Sequence, residues 1–153
     1  MKSVSYCVYS IRFWQFFLMM TLSNIFGAFF SYAFKPYGMN ISNHEPISDN
    51  TLTWAATIGS GVVNGVARIV MGALVDRYGF KTLFTFSTIL QLLNSMVCYW
   101  AVHSPPLYFT CILINFWCVG GNNSLFPVAV TNVFGHDIGV KIYVWIMFGF
   151  FLS

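Results

Sequence analysis

Five apolar runs, at roughly 13–34, 51–75, 82–102, 107–130 and 142–153, occupy most of this 153-residue chain and leave it few folds to choose from. They are apolar on every face, whereas the strands of a membrane barrel alternate apolar and polar residues over about 10 positions. Hydrocarbon satisfies no backbone polar group, so a chain of this kind crosses it as helices. A spanning helix needs about 20 residues, which four runs reach and the fifth, cut short, does not. Only 7% of residues are charged, against about a quarter in soluble domains, so a soluble surface is excluded. The expected fold is therefore an all-α membrane bundle with four complete spans and the start of a fifth. Residues 1–153 read as one helical unit, with no linker or internal repeat.

The charges orient that bundle. Lys2 and Arg12 precede the first span, Arg77 and Lys81 lie between the second and third, and Lys141 precedes the fifth, all on one side. Lys35 alone lies on the other. The positive-inside rule then puts the N-terminus in the cytosol or its equivalent, without identifying the membrane. Met1–Ser10 is polar and the first apolar run is of full length, so a signal anchor is expected in place of a cleaved leader. The 35–50 segment, with two prolines, a glycine and several asparagines and serines, reads as an irregular outer loop. There Asn40-Ile41-Ser42 forms a glycosylation sequon; a second, Asn122-Asn123-Ser124, falls inside the fourth run and is expected to be inert. His103-Ser104-Pro105-Pro106 marks a tight outer turn.

One charge interrupts the apolar runs: Arg68. Asp76 follows eight residues later, about 12 Å along a helix, which places the guanidinium near the middle of a core about 30 Å thick. A lone cation at that depth needs a partner, a wet cavity or an anionic ligand. None of the apolar runs contains an acid, so an anion from elsewhere is the expected counter-ion. Ala56, Ser60, Asn64, Arg68, Gly72 and Asp76 recur every four residues as one slowly turning stripe, making Arg68, Asn64 and Ser60 the candidate substrate-binding residues. The alternative is a structural arginine satisfied by Asn64 and backbone carbonyls. Gly61 and Gly65, with Ala55 and Gly59, have the spacing of close helix packing.

Catalytic chemistry finds no footing. Cys7, Cys98, Cys111 and Cys118 form no C-x-x-C pair, and the last three lie in apolar runs as small hydrophobes. His44, His103 and His136 sit on three separate loops without acidic or thiol neighbours at metal spacing, so no metal or other cofactor is expected. Gly59-Ser60-Gly61-Val62-Val63-Asn64-Gly65 misses the dinucleotide pattern by one residue and has no strand before it. The chain does not read as an enzyme, and no nucleic-acid partner is implied.

Gly72-x-x-x-Asp76-Arg77-x-Gly79-x-Lys81 resembles the signature loop of the major facilitator superfamily, between the second and third helices of each six-helix half. In that loop Gly79 turns the chain, Asp76 caps or pairs, and Arg77 and Lys81 stay at the headgroups. Arg12-Phe13-Trp14, Lys35-Pro36, Asn64-Gly65-x-x-Arg68, Gly120-Gly121 with Pro127, and Phe134-Gly135 with Gly139 and Tyr143 are similar to the C-terminal half of monocarboxylate and oxalate:formate antiporter-type members. The resemblance implies that Arg68 meets a substrate carboxylate and that Gly72, Asp76, Arg77, Gly79 and Lys81 form a conformational loop. It also implies a small organic anion as substrate, a coupled proton or exchanged anion, the lipid bilayer as surroundings, and an N-terminal half in the same or another chain. Oxalate-type members carry a lysine on the eleventh helix; Trp145–Ser153 has none, which favours a monocarboxylate or an unrelated anion over oxalate. The expected function is alternating-access transport within a twelve-helix carrier, the alternative being a transporter-derived scaffold without flux of its own.

Overall fold

Pro36 does not stop the first helix. In the computed structural model, which describes residues 7–40 and 47–152 with side chains as far as Phe148, α1 runs from Ile11 to Met39. Ser10 caps its start by accepting from the Arg12 N–H. A proline removes one backbone bond to the carbonyl four residues earlier, and close to a helix end little else is lost. The Asn40 N–H then closes the helix on the Pro36 carbonyl at 3.1 Å. The expected irregular loop from Lys35 is thus helical through Met39, and residues 41–46 lie outside the described residues.

Ser48 accepts from the Thr51 N–H and opens α2, Asp49–Thr57. Lys35 Nζ meets Asp49 Oδ1 at 2.7 Å and tethers α1 to this start, both side chains being substantially exposed, which limits the pair to under about 1 kcal/mol. A π-helical stretch, Ile58–Val63, joins α2 to α3, Asn64–Tyr78, forming one continuous rod. Then come α4, Phe80–Ala101, α5, Pro105–Phe134, and α6, His136–Leu152. Pro105 and Pro106 occupy the first helical positions of α5, where a missing N–H costs nothing.

Two single-glycine turns of matching geometry make the α3–α4 and α5–α6 corners. Gly79 (φ +76°) donates to the Val75 carbonyl at 2.9 Å, and Gly135 (φ +87°) donates to the Thr131 carbonyl at the same distance. Both need a backbone conformation that side-chain-bearing residues avoid. These turns lie at the end where α1 begins, since Phe16 packs on Phe80 and Phe13 clusters with Val130 and Ile142. Arg12, Arg77, Lys81 and Lys141 therefore share one basic end. The Lys35–Asp49 tether, and Tyr108 donating to the Phe34 carbonyl at 2.7 Å, mark the opposite end.

α5 is the central helix, against which every other helix packs. Among the described residues the chain is all-helical, and three helices are long and apolar enough to cross a membrane: α1, the 30-residue rod Asp49–Tyr78, and α4. This corrects the expected four complete spans. α5 also has 30 residues, but Asn115, Asn122 and Asn123 dilute its apolar run, as suits a helix sheathed by protein. α6, with 17, is too short to qualify. Apolar clusters fill both ends of the bundle, and a buried polar belt of Asn24, Gln91, Asn94 and Asn115 lies among them. Gln91 donates to the Ser23 carbonyl and Asn94 to that of Cys111, stitching α4 to α1 and α5. Such bonds between membrane helices contribute about 0.6 kcal/mol each. All four cysteines are buried and reduced.

Candidate functional site

The π-helical stretch sets the direction in which the Arg68 stripe faces. On the rod the buried positions are Leu52, Ala55 and Gly59, then Ala67, Met71 and Val75. A row spaced by four drifts about 40° per step on an α-helix. The i→i+5 turn, seen where the Asn64 N–H reaches the Gly59 carbonyl, takes one more residue and reverses part of that drift. Five of the six stripe residues consequently follow a buried one: Ala56 after Ala55, Ser60 after Gly59, Arg68 after Ala67, Gly72 after Met71 and Asp76 after Val75, while Asn64 follows the half-buried Val63. The stripe stays beside the α5 contact over the whole rod.

Close approach to α5 fixes Asn64. A Cβ on Gly120 would stand 2.6 Å from the Asn64 carbonyl oxygen and 3.0 Å from its Cγ, so only glycine fits there. Gly59 faces the Phe116 ring in the same way, and Gly121 faces Met71. Ala55 and Gly59 thus pack as their spacing suggests, but Gly61 and Gly65 have nothing within 4 Å of a Cβ position and mediate no close contact. The register change in the π-helical stretch turns them away from α5.

Arg68 is exposed, and its Nε donates to Asn64 Oδ1 at 3.0 Å. Ser60 is exposed one turn beyond Asn64; among the described residues no hydrogen bond joins it to either. The guanidinium lies within electrostatic reach of Tyr143 on α6. Tyr143 donates its hydroxyl to the Asn123 carbonyl at 3.5 Å. That carbonyl is four residues before Pro127, whose missing N–H leaves it without its helical partner. The Asn123 side-chain oxygen is also buried, with no hydrogen-bond partner among the described residues. Arg68, Asn64, Tyr143 and the Asn123 backbone thus bring α3, α5 and α6 together on one polar face. Among the described residues, the ion pair formed is Lys35–Asp49, so no carboxylate neutralises Arg68.

Neither Asn123 nor the Tyr143 hydroxyl bond is apparent from spacing. The signal available was Pro127 four residues after Asn123, which announces a freed carbonyl within an apolar run. Asn122 is fully buried, so the second sequon is inaccessible. Asn40 is exposed at the end of α1, its sequon partners Ile41 and Ser42 lying outside the described residues. Gly72 leaves open space on the stripe, Asp76 is exposed at the end of α3, Arg77 lies over the Tyr78 ring at 5.5 Å, and Lys81 is exposed in the first turn of α4. Half-open cavities lie elsewhere, in the seam between α1 and α4.

Fold and site together define a multi-helix integral membrane protein with a cation on an open face at mid-helix depth. Apicoplast pyruvate carrier 1 of Toxoplasma gondii is 28% identical to this chain over 136 residues, covering 88% of the chain and 25% of that protein. The chain therefore spans about a quarter of the length of this relative. No family model matches the chain, and no solved structure matches it. The identification as the C-terminal half of a major facilitator, in the monocarboxylate and oxalate:formate branch, is corrected on the relative, which is named as a pyruvate carrier. The twelve-helix frame and the implied N-terminal half rested on that resemblance and gain no support from the relative. The motif that suggested it has a local cause, because a positive-φ glycine ending α3, with charged residues around it at the water boundary, is what a tight corner between two membrane helices requires.

Proposed function

We propose that this chain contributes the anion-binding face of a carrier for a small monocarboxylate of the pyruvate type. The observation that carries the reading is Arg68: exposed at mid-helix, held by Asn64, and without a carboxylate partner among the described residues. A guanidinium at membrane depth must be covered or hydrated, and its planar fork matches a carboxylate. Tyr143 adds a hydroxyl beside it, and the small residues of the stripe leave room for a compact anion. The Toxoplasma relative, a pyruvate carrier by name, agrees with this choice of substrate class.

In this reading Arg68 binds the carboxylate, Asn64 fixes the guanidinium plane, and Ser60 and Tyr143 line the approach. Asp76, Gly79 and the neighbouring Gly72, Arg77 and Lys81 act at the helix corner, on the exchange between conformations, and a proton or second anion is the coupled species. No covalent step is required. The test is uptake of labelled pyruvate by vesicles from cells expressing the native transcript. Saturable uptake, competed by other monocarboxylates and lost with Arg68→Gln, supports the reading; uptake equal to that of empty vesicles rejects it.

A further inference from the structure

α1 and α4 both rest on α5 and meet each other at few points, Phe16 against Phe80 and Gln91 on the Ser23 carbonyl. The seam between them holds separate cavities, and the one at the basic end, about 400 Å³, differs from the rest. Phe16, Met19, Phe80 and Phe84 form its apolar wall, while Gln15, Lys81 and Thr85 bring polar groups to it. Among the described residues Lys81 has no carboxylate within ion-pair distance. The other cavities in the seam, of about 220 and 330 Å³, carry no charged residue.

We propose that this cavity is a binding site for an anionic phospholipid of the leaflet at the basic end, with the phosphate on Lys81 and the start of an acyl chain among Phe16, Met19, Phe80 and Phe84. Three features select a lipid over a protein segment. The cation lies in the first turn of α4, at headgroup depth, and the apolar wall continues from it toward the bilayer centre. Gln15 and Thr85 supply donors for phosphate and glycerol oxygens beside the charge. The Phe16–Phe80 contact and the Gln91 bond interrupt the seam, whereas a docked helix needs an unbroken trough with axes about 8–10 Å apart. Basic sites between membrane helices attract anionic headgroups, and one lysine near the surface contributes about a fivefold preference.

The test uses the purified chain in nanodiscs containing a photoactivatable phosphatidylglycerol or the matching phosphatidylcholine. The expected result is labelling concentrated in residues 15–19 and 80–85, about fivefold stronger with phosphatidylglycerol. Lys81→Gln should abolish that preference, while Lys81→Arg keeps it; Lys141→Gln, at the same end but outside the cavity, should leave it unchanged. Equal labelling by the two lipids overturns the site. So does an equal effect of Lys141→Gln, or cross-linking of α1 and α4 to a second copy of the chain.

Discussion

Gly120 lies so close to Asn64 that an added Cβ would stand 2.6 Å from the Asn64 carbonyl oxygen. Asn64 in turn holds the Arg68 guanidinium, so the position of the cation depends on a residue with no side chain on a neighbouring helix. Gly120→Val should separate α3 from α5 at a cost of about 1–3 kcal/mol, the usual range for overpacking. Gly65→Val, with open space around it, should cost under about 0.5 kcal/mol. Thermal unfolding in detergent checks both, and equal effects would remove the close approach from the account.

The Tyr143 hydroxyl and Pro127 should prove coupled. Tyr143→Phe removes the donor to the Asn123 carbonyl, a long bond at 3.5 Å, so the loss should be small, about 0.5 kcal/mol. Pro127→Ala restores a backbone N–H to that carbonyl, so the tyrosine change should cost less in its presence. A double-mutant cycle on stability measures the coupling, and additive effects would show that the tyrosine does not serve the proline-freed carbonyl.

Both corner glycines combine positive φ with ψ 155°, a region essentially reserved for glycine, and alanine at either should destabilise by about 1–3 kcal/mol. Asp76→Asn, beside the first corner, should lower the transport rate more than the equilibrium affinity. A loss of affinity at unchanged turnover would place Asp76 in the binding site instead.

Orientation can be read by labelling, because all four native cysteines are buried and give little background. Cysteine introduced at Asn40 should react with an impermeant reagent from one side of the membrane and cysteine at Arg77 from the other, following the charge asymmetry. Reaction of both from the same side would reject the antiparallel arrangement.

The helices, the basic end and the Arg68 stripe are legible in the sequence because each rests on local chemistry: long apolar runs, lysines and arginines between them, and a four-residue spacing. Features that depend on register escape it. Nothing in Ile58–Val63 marks a π-helical turn, yet that turn sends Gly61 and Gly65 away from α5 while Gly59 stays in contact. Pro36 reads as a helix stop but falls where one lost bond is tolerated. Asn115, Asn122 and Asn123 of α5 look like interruptions until the helix is seen at the centre of the bundle, where polar side chains meet other helices and not lipid. Tyr143 and Asn123 are 20 residues apart and meet only through the α5–α6 hairpin.

The most direct measurement is binding of labelled pyruvate to the purified native protein carrying Arg68→Lys or Arg68→Gln. A charge-assisted, two-pronged contact contributes about 1.5–3 kcal/mol, so both variants should bind about 10- to 150-fold more weakly while membrane insertion and helix content are unchanged. Lysine should not rescue, since it keeps the charge but loses the planar fork. Binding at the parent level by both variants would make Arg68 a structural residue and contradict the account.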